Sequence, residues 1–240
     1  MQLSAMQGLV TQRLNEGSSG PTYYPTAEIT AALNEGLRFF CLLTLGLEIT
    51  AQWTIPAAGP NVQNTFFRML TVFPDWIVPL RITTLAGAKI RPARMEDLSC
   101  LDPQWITSVG TLGRYVALGA DLVAIYQQPK AATVVNVTYA QAPVPLANAA
   151  DTPATPAEYH PKYVDYAVYR MRQGEGAQEF SKALPFFASF MEGAKHYAAY
   201  VRSRNLGARY DKVPFELEKY DMSQLLKLRR DLMPERRPNG

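Results

Sequence analysis

Chemistry near neutral pH needs groups that titrate, ligate or attack, and this sequence is sparing with them. It holds two histidines, His160 and His196, and two cysteines, Cys41 and Cys100. A structural zinc site needs four such ligands at characteristic spacings. No paired-cysteine spacing occurs, so no metal site is expected. His160 stands before Pro161 at a helix entrance, where a capping or solvent-facing ring is expected. His196 lies off the apolar stripe of its helix and should be exposed. Cys41 and Cys100 sit in the apolar flanks RFFCLLTL and LSCLDP, which reads as two buried thiols in a reducing compartment. Glu96 and Asp97 are adjacent, so their carboxylates point apart and read as solvated or first-turn residues. Phosphate-loop, HExxH and GxSxG patterns are absent. GEGAQE at 174–179 lacks a preceding strand and a third glycine, and reads as a helix–helix turn. No catalytic, cofactor-binding or metal-binding residue is nominated, no cofactor is implied, and the chain is not expected to be an enzyme. An enzyme with a site assembled from distant positions is one alternative. A helical nucleic-acid-binding protein is the other, and the near-neutral body argues against it.

The elements around these residues belong to an ordinary globular chain. Of 240 residues, 48% are hydrophobic and 19% charged, enough for a sizeable core. No apolar run approaches the roughly 18 residues that span a bilayer. The first residues lack a signal-peptide pattern, so a soluble protein of the cytoplasm, without membrane partners, is expected. Residues 1–194 carry 13 basic and 15 acidic side chains, whereas residues 195–240 carry 11 and 6. The positive excess is thus concentrated in the tail, as a solvated arm or a docking arm for an acidic partner.

Leu3, Met6, Val10 and Leu14 recur at helical spacing. After a GSSGP break, Thr26 is a natural N-cap for a helix whose stripe is Ile29, Leu33, Leu37, Phe40 and Thr44, with Gly46 as its stop. From residue 47 the texture changes to short runs rich in β-branched and aromatic residues: LEITAQWTIPA, NTFFRMLTVF, PLRITTLAG, AKIRPA and ATVVNVTYA read as strands. GRYVALGADLVAIYQQPK reads as a hairpin about Gly119-Ala120, with a type II′ turn. MEDLSCLDPQW reads as a helical turn plus loop. A Pro-rich linker at 143–157 leads to two more helices, the second running over about 177–204 across Pro185. Neither helix pair can bury its stripe alone. The expected fold is therefore α+β: a four-helix bundle formed by N- and C-terminal helix pairs, with an inserted antiparallel β segment and an extended C-terminal tail. The boundaries are 1–46 and 156–204 for the bundle, 47–155 for the β region with its linker, and 205–240 for the tail.

The helix EYHPKYVDYAVYRMRQ carries Tyr159, Tyr163, Tyr166 and Tyr169. Tyr159, Tyr163 and Tyr166 share a face beside Val164, Ala167, Val168 and Met171, and the two faces cover about half the circumference. A buried Tyr needs a partner for its hydroxyl, so Tyr favours boundaries that are apolar at one end and wet at the other. Two readings stay open on the wheel alone. The helix is either central to a monomeric bundle with hydroxyls at the rim, or shared between the bundle and a second subunit.

Several segments taken in order resemble the head-to-tail connector adaptor (head completion) proteins of tailed bacteriophages. They are YPTAEITAALNEGLRFF with Asn34 near its middle, the element Asp102-Pro103-x-Trp105, the hairpin leading to Pro129, and the PAEYHPKYVDYAVYRM helix, covering about residues 23–200. The resemblance implies a structural virion protein at the head–tail junction, assembled in the host cytoplasm. It implies a homo-oligomeric, dodecameric ring beneath the portal that extends the DNA channel and offers a platform for tail nozzle or tail tube proteins. Double-stranded DNA would pass through the lumen. It further implies that residues 205–240 reach along the portal, with Tyr210, Phe215, Tyr220, Leu225, Leu226 and Leu228 as apolar contacts and Arg229, Arg230, Arg236 and Arg237 as charge contacts. On this reading Tyr159, Tyr163, Tyr166 and Tyr169 meet the next subunit. Replacing Tyr163 and Tyr166 by Ser would then leave the monomer folded and stop ring formation.

Overall fold

The computed structural model describes residues 1–14, 23–59, 66–173 and 177–204. In chain order it forms α1 (Leu3–Arg13), α2 (Thr26–Thr44), β1 (Glu48–Ile55), β2 (Phe66–Arg68), α3 (Met69–Val72), β3 (Trp76–Thr84) and β4 (Lys89–Pro92). There follow α4 (Met95–Leu101), β5 (Val109–Gly110), β6 (Arg114–Leu118), β7 (Leu122–Tyr126), β8 (Gln128–Pro129), β9 (Thr133–Gln141), α5 (His160–Gln173) and α6 (Ala177–Arg204). Two compact units result, one from Met1–Gly46 with the chain from Pro143 on, the other from Leu47–Ala142.

In the helical unit the apolar stripes go where their spacing sends them. Leu3, Met6 and Val10 of α1 are buried, as are Ile29, Leu33, Leu37, Phe40 and Thr44 of α2. Pro25, rather than Thr26, occupies the N-cap of α2; its extended backbone (φ −61°, ψ 143°) turns the chain into the helix. The helix closes at Leu45, whose φ of 52° is left-handed, and Gly46 follows. A Cβ at Gly46 would lie 2.2 Å from the Tyr197 ring, so this close approach needs glycine. Helix α5 packs against α1, α2 and α6. Its approach to α2 is set by Gly36, where a Cβ would stand 2.8 Å from Cδ1 of Tyr166. The linker is tied down too: Asn34 donates to the Leu146 carbonyl (3.0 Å) and accepts from its N–H (2.8 Å).

The second unit overturns the expectation of a four-helix bundle with a small inserted antiparallel β segment. Its strands form one curled, mixed, seven-stranded sheet, a half-barrel in the order β1-β9-β3-β4-β6-β7-β2, and the described residues hold six α-helices. Most neighbours are antiparallel, but β4 pairs parallel with β6, and the small β5–β8 ladder is also parallel. The physical reason is that these strands bury a core of their own. Trp53, Ile55, Met69, Phe73, Trp76, Ile82, Ile90, Tyr115, Val123, Ile125, Val135, Val137 and Tyr139 line the inner face. Rings of the two edge strands meet there, Trp53 of β1 and Phe67 of β2 at 5.1 Å.

Local differences follow from the same packing. Part of NTFFRMLTVF, read as a strand, is helix α3, because Met69 turns inward with its N–H on the Asp121 carbonyl (2.6 Å). The β6–β7 loop is three residues, 119–121, rather than two, since Leu118 pairs with Leu122; Gly119 supplies the positive φ of 61°. A second cluster, Leu98, Trp105, Val116 and Ala124, covers the outer face near β6 and β7. Asp102 builds its turn there by accepting the Gln104 N–H (2.9 Å), and the Trp105 indole donates to Ser99 Oγ (3.2 Å).

Candidate functional site

The tyrosine-rich helix α5 is the hub of the helical unit. Pro156 enters a short 3-10 turn at 157–159, and Pro161 in the first turn of α5 has its φ preset for a helix. Arg170 and Arg172 stand in the last turn, where the helix dipole favours positive charge.

The four tyrosines divide into two pairs. Tyr163 is 1% exposed; its hydroxyl lies 2.5 Å from Thr155 Oγ1 and its ring sits edge-on to Phe40 at 5.3 Å. Tyr166 is 7% exposed, donates to Glu35 Oε1 (2.9 Å) and packs on Phe190 at 4.9 Å. Burial raises both phenols far above the ordinary tyrosine range, and the Glu35 carboxylate pushes Tyr166 further the same way. Tyr159 and Tyr169 are half-buried. The ring of Tyr159 lies 4.8 Å from Tyr197, and that of Tyr169 lies 4.7 Å from Phe187. Among the described residues neither hydroxyl has a hydrogen-bond partner, and burial raises both pKa values. Thus Tyr163 and Tyr166 are enclosed by their own chain, while Tyr159 and Tyr169 keep polar tips at the rim.

Around them runs a polar network the sequence did not announce. Arg13 of α1 pairs with Asp165 of α5. Asp165 also accepts from Ser189 Oγ of α6 (2.7 Å), which in turn accepts from Lys162 (2.9 Å). Arg170 and Tyr166 converge on Glu35 of α2, Arg170 at 3.3 Å. In the sequence Asp165 shares the polar remainder of the helix with Lys162 and Arg172, so no local signal set it apart; its burial comes from α1 and α6 packing over that face.

The expectations for the remaining chemical groups divide. His160 is buried, not capping or solvent-facing: Nε2 donates to the Thr155 carbonyl (2.8 Å) and Nδ1 faces the Met1 amine at 2.7 Å. A carbonyl only accepts, so Nε2 carries a proton; Nδ1 faces an ammonium, which only donates, and as its acceptor Nδ1 carries none. Burial, then the nearby ammonium, lower its pKa against the pull of the Thr155 bond. His196 is exposed. Cys41 is buried and its thiol pushed up to about 12 by desolvation. Cys100 is exposed rather than buried, because α4 turns Leu98 inward and leaves Cys100 outside. Glu96 and Asp97 are exposed in the first turn of α4. The tail residues Tyr210, Phe215, Tyr220, Leu225, Leu226, Leu228, Arg229, Arg230, Arg236 and Arg237 lie outside the described residues. Among the described residues no group of His, Cys, Asp and Glu could hold a metal ion, and no helix is long and apolar enough to cross a membrane.

The arrangement around α5 is one of aromatic packing edged by polar pairs. A family model described as SU10 adaptor protein matches residues 1–211. No curated protein matches the chain.

Proposed function

The chain belongs to the SU10 adaptor protein family, a family of phage structural adaptors, and from that premise we propose that it builds a ring beneath the portal which extends the DNA channel and seats the tail. The family match over residues 1–211 carries this reading. The helical unit supplies the ring body. Lateral contact runs along the rim of α5, with Tyr159 and Tyr169 presented to the next subunit. Tyr163 and Tyr166 stand behind them and fix the helix that presents them. A phenol suits such a rim because its ring is buried on assembly while its hydroxyl keeps a free subunit soluble.

Residues 205–240 engage the portal through the apolar side chains and arginines named above, and tail components meet the opposite side of the ring. Many weak arms acting in one ring give an avidity that no single contact supplies. No reaction is required of any residue.

Electron-microscope class averages of the purified chain, alone and mixed with portal protein, test the proposal. Annular particles support it; monomers in both samples overturn it. The double variant Tyr159→Ser, Tyr169→Ser should keep the wild-type melting temperature within a few degrees and lose the annular classes.

A further inference from the structure

The outer face of the sheet carries an arrangement that the adaptor reading does not use. Successive residues of a strand point to opposite faces, so Ile82, Ile90, Val135, Val137, Trp53 and Tyr115 inside place their neighbours outside. The register then aligns those neighbours in rows. Thr50 of β1 pairs with Thr138 of β9, which pairs with Arg81 of β3. Ile82 opposes Ile90, so one further step of that antiparallel register sets Arg81 opposite Arg91 of β4, and Arg91 pairs with Arg114 of β6. Arg81, Arg91 and Arg114 thus occupy one row on three adjacent strands, whose backbones lie about 4.8 Å apart. The next row reads Gln52, Asn136, Thr83 and Lys89, of which Thr83 is buried and the others reach solvent.

Arg81, Lys89 and Arg91 are exposed and Arg114 half-buried. Among the described residues none of the four makes an ion pair or a side-chain hydrogen bond. The carboxylates of the unit are placed elsewhere. Asp75 accepts from Tyr139, Asp102 from its own turn, Glu96 and Asp97 belong to α4, Asp121 to the β6–β7 loop, and Glu48 to the far end of β1. Like charges directly opposite one another on a sheet repel. A row of three arginines with no counter-ion is therefore a cost to the fold unless an anion is brought to it.

The company of the row selects the anion. Protein interfaces also use arginine, but centre it among apolar and aromatic anchors and are poor in lysine. Single strands are held by exposed aromatic platforms. These rows supply neither: they combine Arg and Lys with Thr, Asn and Gln, the set that contacts phosphate and sugar oxygens without reading bases. We propose that this face of β1, β9, β3, β4 and β6 binds the sugar-phosphate backbone of double-stranded DNA without regard to sequence. Binding needs only the sheet unit's own residues; that the face looks into a channel rests on the adaptor reading.

The test uses the full chain and a fluorescent duplex of about 30 base pairs, with anisotropy titrations between about 50 and 200 mM salt. The wild type should bind, with affinity falling steeply as salt rises. The triple variant Arg81→Ser, Arg91→Ser, Arg114→Ser should bind at least about tenfold more weakly, with a log–log salt slope shallower by about 2 to 3. The matching Arg→Lys triple variant should keep the slope. Substituting Arg229, Arg230, Arg236 and Arg237 by Ser should leave the contribution of the sheet in place. Wild-type binding by the Ser triple variant, at an unchanged melting temperature, overturns the proposal. So does displacement of the duplex by poly-glutamate more readily than by unlabelled duplex at equal charge, which would make the partner an acidic protein. Annular particles without duplex binding sink this inference alone; duplex binding by a chain that never forms annuli sinks the ring alone.

Discussion

The helical unit and the sheet unit treat their polar side chains in opposite ways. Around α5 the charged groups end on partners from other elements: Arg13 on Asp165, Arg170 on Glu35, Lys162 on Ser189 beside Asp165. In the sheet unit the buried interior is apolar and aromatic, and the arginines stand on the outer face without partners among the described residues. The difference lies in what fixes register. Two helices can slide and rotate past one another, so polar pairs across their seams help specify one arrangement. Strands are registered by their backbone ladders and by an apolar face that a one-residue slip would turn outward. Away from the Leu98–Trp105 cluster, the outer side chains of this sheet are thereby released from structural duty and are open to a ligand.

The contrast breaks most sharply at Tyr163. Tyr163→Ala removes a fully buried ring beside Phe40 and strands the Thr155 hydroxyl, and should destabilise the helical unit by about 3–5 kcal/mol in thermal or urea unfolding. A variant that unfolds like the wild type would show that α5 is not the hub. Asp165→Asn comes next. It leaves Arg13 without its carboxylate, and because Arg13 is about a third exposed and can turn to water, the loss should be about 1–2 kcal/mol. Removing Arg13 in the same background should add little, which a double-mutant cycle reads directly.

Acidification should act more weakly, and on the helical unit. The pKa of His160 is lower in the fold than in the unfolded chain, so its share of stability is present above the unfolded value of about 6.5. As pH drops toward the folded value, the unfolded chain takes up the proton first and that share is lost. Melting temperatures between pH 7.5 and 5 should therefore fall for the wild type and fall less for His160→Gln. The smallest effect belongs to the sheet face. Arg81→Ser or Lys89→Ser alone should change stability by no more than about 0.5 kcal/mol, because neither side chain has a partner in the fold and the like-charge repulsion relieved at Arg81 is small in water. A loss as large as that of Asp165→Asn would mean that the face is structural after all.

Much of the helical unit was legible. The stripe of α2 is buried residue for residue, and that of α1 at Leu3, Met6 and Val10, with Leu14 half-buried at the C-cap, since a period of 3.6 states directly which face of a helix avoids water. Asn34 and the Asp102–Trp105 element stand out in the sequence, and each closes a specific turn or linker contact. The sheet was legible as strands but not as a sheet. The parallel pairing of β4 with β6 joins segments that local alternation cannot order, and the shift of Met69–Val72 into α3 depends on a carbonyl some 50 residues away, Asp121. The burial of His160 and the exposure of Cys100 escaped for the same reason: each is decided by the element lying over it. The arginine row was invisible because Arg81, Arg91 and Arg114 share no local pattern and become neighbours only through the ladders.

The sequence by itself settled where each element would be apolar, where the chain would turn, and that no recognised reactive motif was at hand. Tertiary structure decided which partner consumed each apolar face. It turned Tyr163 and Tyr166 inward on Thr155 and Glu35, left Tyr159 and Tyr169 with their tips at the rim, and folded a run of short strands into a half-barrel with its own core. Periodicity is a local property of the chain, whereas burial is a property of pairs of segments far apart in sequence, and a pattern that fixes the first leaves the second open.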